Sequence, residues 1–356
     1  MSQNSRAGRI RLLAGGLAIG CLTMTAVAAV AGAGSAGAAV PDRYGFVLWN
    51  GAVIGSGTTP AASTVAVIGV GQYKIDFVGQ AAAGGVAHVT AINTVPHWCQ
   101  INAFGPAGAD EIVTVSCYKA GGAPDPSAFS AIFDSSTGPV GPGSFGYLNS
   151  TPGGGLISQY NSSGAGNAVI HAGPGQWAVS LPGVASPAPF SGSLQATAVS
   201  PPTVPMRCKI LSWSSGGGET IKVNCYNAAG VLTDTQFTLT YQYLRALYGG
   251  FLPPKYFGYL WNQPVGGPIT TNYNNPAGPG ANVLTAGVLS TVQFPLLAVL
   301  PDDIQVTAYG SSSDFCGLTN PWTHSGTATI ARDVNCFTNA GAAVASGFFI
   351  SDNSAL

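Results

Sequence analysis

Beyond about residue 40 the chain alternates apolar and polar positions in short bursts. Tyr73, Ile75 and Phe77 fall on one side of such a run, Lys74 and Asp76 on the other. Runs at 113–117, 221–225 and 235–241 keep the same period of two and are rich in β-branched or aromatic residues. That period puts every second side chain on one face of a strand, so short half-buried strands are predicted. With 50 glycines and 25 prolines the pattern is interrupted too often for a helix of three turns.

Residues 1–39 read differently. Arg6, Arg9 and Arg11 precede an apolar stretch from Leu12 to about Val30, and Ala36-Gly37-Ala38 ends it with small residues. This is the pattern of a secretory signal peptide cleaved near Ala39. A retained membrane anchor fits less well, because the stretch is rich in Ala and Gly and ends at a cleavage site. Ala18-Ile19-Gly20-Cys21 resembles a lipid-attachment motif, but the residues after Cys21 stay apolar where a polar tether is needed. The mature chain is therefore expected outside the cell, with no membrane span and no lipid anchor at Cys21.

The strand pattern recurs three times. Each copy opens on an aromatic-glycine-aromatic step: Tyr44-Gly45-Phe46, Phe145-Gly146-Tyr147 and Phe257-Gly258-Tyr259. Trp49-Asn50 and Trp261-Asn262 follow in the first and third copies, whereas the second has Leu148-Asn149. Gly71-Gln72-Tyr73 and Gly175-Gln176-Trp177 start matching runs; the third copy is blurred there, and its register before Phe294 is open by one residue. Later come His88-Val89-Thr90-Ala91, Gln195-Ala196-Thr197-Ala198 and Gln305-Val306-Thr307-Ala308, and then a cysteine. An aromatic stands five or six positions beyond it (Phe104, Trp213, Trp322). A second cysteine closes an alternating run, and a Phe stands twelve positions further on (Phe129, Phe237, Phe348). Periods of this length indicate tandem domains.

Six cysteines remain after cleavage, and six allow 15 pairings. The repeat selects Cys99–Cys117, Cys208–Cys225 and Cys316–Cys336, because a pairing across copies would break their equivalence. Secretion makes oxidation plausible, and each bridge would add on the order of 3 kcal/mol. No closely spaced C-x-x-C exists for zinc, so no metal is expected. The fold expected is all-β: three tandem β-sandwich or jelly-roll-like repeats at 40–139, 143–247 and 254–356, each with one internal disulfide. Gly/Pro-rich stretches at 137–143 and 248–254 read as short linkers.

Charge narrows the function. Removing residues 1–39 takes away three of the 12 basic residues and none of the 13 acids, leaving a net charge of −4. That is no footprint for nucleic acid. Charged residues make up 7% of the chain, so its surface must be built mainly from Ser, Thr, Asn, Gln and Gly.

Candidate chemistry fails the test of repetition. His88 stands where the other copies carry Gln; His171 matches Val67, His97 matches Met206, and His324 lies in a loop unique to the third copy. No nucleophile elbow, metalloprotease helix motif, phosphate loop or dinucleotide fingerprint occurs. Asp110-Glu111 and Asp302-Asp303 are adjacent acids, which point to opposite faces of a strand and cannot flank a sugar as a pair. Asp125 and Asp234 read as turn or strand-edge residues. Trp49-Asn50 and Trp261-Asn262 are the candidate binding residues: an indole could stack on a sugar ring while the amide hydrogen-bonds a hydroxyl. The bland reading is a Trp that covers the core rim.

The Phe-Gly-Tyr-Leu-Trp-Asn opening at 257–262, Tyr160-Asn161-Ser162-Ser163-Gly164, Gln305-Val306-Thr307-Ala308-Tyr309-Gly310 and Arg207-Cys208-Lys209 leading to Trp213 carry a resemblance. Over nearly all of the mature chain it resembles a group of secreted tandem-repeat proteins of actinobacteria and related soil bacteria. That group has no assigned activity, so the resemblance implies an extracellular repeat protein and carries over no functional residue. The expectation is a secreted, non-enzymatic protein without cofactor, with a structural or binding role at the cell surface. Its partner would be a polysaccharide or another surface protein. A carbohydrate-binding array is the alternative, and a secreted hydrolase is less favoured.

Overall fold

The computed structural model describes residues 43–59, 63–135, 142–188, 190–250, 255–263 and 271–356. The expected signal peptide and residues 137–141 of the first expected linker lie outside them. The described chain is all-β, with 25 strands and three disulfides.

The first repeat supplies β1 Tyr44–Trp49, β2 Val53–Thr58, β3 Ser63–Gly69, β4 Gln72–Phe77, β5 Val86–Ile92, β6 His97–Ala107, β7 Asp110–Lys119 and β8 Ala128–Asp134. The second supplies β9 Ser144–Ser150, β10 Leu156–Asn161, β11 Ala168–Gly173, β12 Gln176–Pro182, β13 Ser193–Val199, β14 Met206–Ser215, β15 Gly218–Asn227 and β16 Gln236–Tyr243. The third supplies β17 Phe257–Asn262, β18 Thr271–Asn274, β19 Val283–Thr285, β20 Leu289–Phe294, β21 Asp302–Tyr309, β22 Phe315–Leu318, β23 Thr323–Ser325, β24 Ala328–Phe337 and β25 Gly347–Ser354.

Each repeat is a sandwich of two layers, β2-β1-β8-β5 against β3-β4-β7-β6 in the first; each layer has four strands, except that in the third repeat the short β23 adds a fifth beside β24. The layers do not end at the repeat. Three sheets run through the molecule, and each joins a layer of one repeat to a layer of the next. The junctions are short parallel pairings: Val199 with Ile101, Tyr309 with Ile210, and Ile92 with Leu318. Because the third repeat joins back to the first, the sandwiches form a closed ring of three blades. Closure pairs the inner edges and leaves only outer edge strands open.

The motifs have physical causes. Phe129, Phe237 and Phe348 are each at most 1% exposed and fill the three sandwich cores. The cystines link directly opposed residues of neighbouring strands, with their second cysteines on the core face. In the first and third copies the glycine of the opening step is a close-approach position: a Cβ on Gly45 would lie 2.5 Å from the Phe77 ring, and one on Gly258 would lie 2.8 Å from Leu297. Gly71 and Gly175 turn with φ of +64° and +66°, where a Cβ would also strike the backbone of the disulfide strand.

The blurred part of the third copy is a bulge. Asp333, at φ 58°, is extra in β24, and the pairing with β20 shifts between Ser290 and Val292. The second expected linker is also structured where it is described. Tyr248 is buried, stacked 4.2 Å from Tyr44, and packs with Phe46 and Phe257 between repeats.

Where the three blades meet, the inner strands turn polar side chains toward one another. His88 Nδ1 and Nε2 lie 3.0 and 2.8 Å from the hydroxyls of Thr197 and Thr240. Thr90 donates to Gln305 Oε1 at 2.9 Å, and Thr307 donates to the Ala196 carbonyl at 3.1 Å. At one end of this axis Arg207 lies 5.0 Å from the Trp98 ring and 5.2 Å from the Phe315 ring, one residue from each repeat. Beneath it is a cavity of about 40 Å³, walled partly by the first cysteine of each disulfide.

Candidate functional site

Trp49 and Trp261 share a dipeptide but not a place. Trp49 opposes Phe129 across β1 and β8, whereas Trp261 opposes Phe349 and it is Asn262 that opposes Phe348, the counterpart of Phe129. The cause is in the sequence: two residues separate Phe46 from Trp49, and one separates Tyr259 from Trp261. A one-residue slip in a strand sends a side chain to the other face. Trp261 therefore leaves its own sandwich and is sealed against the core of the second repeat, 3% exposed. It stacks on Phe349 at 5.7 Å and meets the edge of Trp213 at 5.6 Å. A sugar has no face of that ring to stack on, so the binding role expected of Trp261 is corrected to a core role. Asn262 is half-buried, 3.5 Å from the Ser346 carbonyl.

Trp49 is different. It is partly buried at the open mouth of the first sandwich, 6.2 Å from Tyr73 in an edge-on pair. Tyr73 is anchored in turn: its hydroxyl donates to the Ser127 carbonyl at 3.2 Å and accepts from the Ser127 amide at 3.1 Å. Asn50 is exposed beside it. With the turn at 69–71 and segments 92–94 and 126–128, these residues line a groove of about 790 Å³. In the second repeat the same space is occupied. Trp177 takes the place of Tyr73 and donates through Nε1 to the Pro152 carbonyl at 3.3 Å, and His171 covers it edge-on, 2.9 Å from Asp234. The counterpart residues of the third repeat, 264–270, lie outside the described residues.

Three histidine–aspartate pairs emerge, each built differently. Asp125 meets His97 from the first-cysteine strand at 2.7 Å, while Asp234, at the matching position, meets His171 from an edge strand. Asp234 is held below its ordinary range, first by the Gly175 amide and then by His171. Asp302 accepts from the Trp322 indole at 3.0 Å and meets His324 Nε2 at 2.6 Å, a bond that raises the His324 pKa.

Buried acids form a second pattern that sequence reasoning missed. Glu111 and Glu219 occupy the same register, opposite Phe77 and Leu181, and both are 0% exposed. Burial pushes each up to about 7. The third repeat has Thr329 at that register, opposite Phe294, and carries the acid as Asp352 on the facing layer. Asp352 is raised well above its ordinary value, first by burial and then by Asp302 and Asp303. The signal was available: Glu111 and Glu219 both precede their second cysteine by six positions. Glu111 accepts from the Ala82 amide at 3.3 Å and Glu219 from the Ser215 hydroxyl, so both pin loops at the blade ends. Asp302, Asp303 and Asp352 are at most 1% exposed, which leaves no substrate a path to their carboxyls.

Among the described residues no group of three or more His, Cys, Asp or Glu is placed to hold a metal ion, and no helix is long and apolar enough to cross a membrane. Comparison with protein-family models, with curated proteins and with solved structures gives no match to the chain.

Proposed function

We propose that this is a secreted, non-enzymatic protein with a structural or binding role at the cell surface. The observation that carries the reading is the ring itself. Three disulfide-bonded sandwiches share every sheet with a neighbour, so the blades are held in one rigid frame. Disulfides persist in oxidising compartments, and the export signal read in residues 1–39 supplies the route there. The acids that could do general acid–base work are mostly sealed inside, which supports a role without catalysis. A rigid frame lowers the ordering cost of any contact its loops make.

The test is retention of the purified mature protein on insoluble cell wall, chitin and cellulose, with a supernatant assay for released products. Retention without release supports the reading. Release of soluble fragments would replace it with a hydrolase. A protein that stays intracellular, with its cysteines reduced, would end it.

A further inference from the structure

We infer that the groove beside Trp49 is a binding site for a neutral saccharide, a few sugar units of a longer chain. This rests on the surface-binding reading above and names the site and the ligand chemistry. The groove, at about 790 Å³, is within the size range of small-ligand pockets. It carries no charged side chain and no histidine. A groove without charge gives an acidic or basic ligand nothing to offset its desolvation.

What it offers is matched to hydroxyl groups. Among the described residues the Trp49 indole N–H, the Asn50 side-chain amide and the Thr94 hydroxyl make no internal hydrogen bond. An amide and a hydroxyl both donate and accept, as sugar hydroxyls do. Val67 and Val70 flank the floor with 64% and 65% of their surfaces exposed, apolar area that the C–H face of a pyranose would cover. The aromatic pair is fixed before any ligand arrives, because Tyr73 is tied to Ser127 and packs 4.9 Å from the core residue Phe129. Much of the wall is backbone outside the strands, at Asn50-Gly51, 70–71, 93–94 and 126–127, so an extended peptide finds little ladder to join there.

The site belongs to the first blade. In the second repeat His171, Asp234 and the Pro152 carbonyl occupy the equivalent space, and Ser150 stands at the register of Trp49. The second repeat therefore has no counterpart of this groove, and the ligand is expected at the first blade.

The experiment is calorimetric titration of the full mature chain with neutral tri- and tetrasaccharides of the cellulose, chitin and starch types. An oligogalacturonate and an apolar hexapeptide serve as controls, and the sugars are analysed for cleavage afterwards. The expected result is binding of at least one neutral oligosaccharide. Trp49→Ala should weaken it at least about tenfold, and Trp49→Phe by less. Since Trp49 also touches the core, Asn50→Ala and Thr94→Ala provide an independent arm: both side chains are exposed, and each should weaken binding several-fold with an unchanged Tm. Failure of every neutral oligosaccharide to bind overturns the inference, as does binding that all three alanine variants leave intact, or a preference for the acidic sugar or the peptide. Retention of the protein on cell wall with groove variants retained equally would discard the groove and keep the surface role. Cleavage of a bound sugar would keep the groove and discard the non-enzymatic reading.

Discussion

The strands build two interiors, and the two obey different rules. Toward the blades they present Phe129, Phe237 and Phe348, with Val113, Val115 and Cys117 or their counterparts opposite, a set repeated three times. Toward the axis they present His88, Gln195 and Gln305, or Trp98, Arg207 and Phe315, sets that differ from copy to copy. Each blade must close its own apolar core, so all copies carry the same constraint. Axial residues meet their own counterparts, so identity is no advantage there. Three arginines at the 98, 207 and 315 positions would repel; one arginine between two aromatic rings gains a cation–π contact from each. Blades reward repetition and the axis rewards difference.

The largest expected effect comes from breaking a blade. Trp261→Ala empties a site where an indole is sealed among Trp213, Phe349 and Tyr309, and should cost about 3–5 kcal/mol in denaturant unfolding. An axial lesion should cost less. Thr238 donates across blades to the Ala87 carbonyl at 2.7 Å, and Thr238→Val removes that bond at nearly constant volume, for about 1–2 kcal/mol. The reverse order would mean that the polar axis, not the blade cores, carries the ring.

This contrast also separates what was legible in the sequence from what was not. The blades were legible. Alternation marked β4, β7, β15 and β16, and the twelve-residue offset marked the three core phenylalanines, because period and spacing are local properties. The disulfide pairing followed from repetition alone. Ring closure was not legible: the junctions are single parallel pairings such as Val199 with Ile101, which leave no spacing signal in the chain. The groove was half legible. Trp49 and Asn50 stood out by residue type, but treating Trp261 as their twin overlooked one residue of offset, and on a strand one residue is the difference between a mouth and a core.

Buried acids sharpen the comparison through pH. Glu111 and Glu219 sit at about 7 against an ordinary 4.5, so the folded blades keep a proton that the unfolded chain releases. Their contribution is complete below pH 4.5 and is lost as pH rises through 7, by about 3 kcal/mol for each group. Asp303, on the axis and also pushed up to about 7, acts in the same direction. Unfolding midpoints should therefore fall between pH 5 and pH 8. Glu219→Gln should flatten that fall by one group's share, and Glu111→Gln by another. A midpoint that rises with pH over this range would refute the assignment of these carboxyls as proton-holding.

His88 pulls the other way, with a smaller effect than either glutamate. Burial drives its pKa down from 6.5 to about 3, and both ring nitrogens already face threonine hydroxyls from the second repeat. The axis thus holds a neutral imidazole, while the unfolded chain takes up a proton near 6.5. The stability tied to His88 is present above pH 6.5 and is lost as pH falls toward 3, by about 2 kcal/mol between pH 8 and pH 5. The decisive variant is His88→Gln, which installs the residue that Gln195 and Gln305 supply at the matching positions. It keeps a donor and an acceptor in the network and removes the titration. Its midpoint should match the parent closely at pH 8 and exceed it at pH 5, so the fall from pH 5 to pH 8 becomes steeper. If the variant instead loses the same stability at both pH values, His88 is held by its shape in the axis and not by its neutrality.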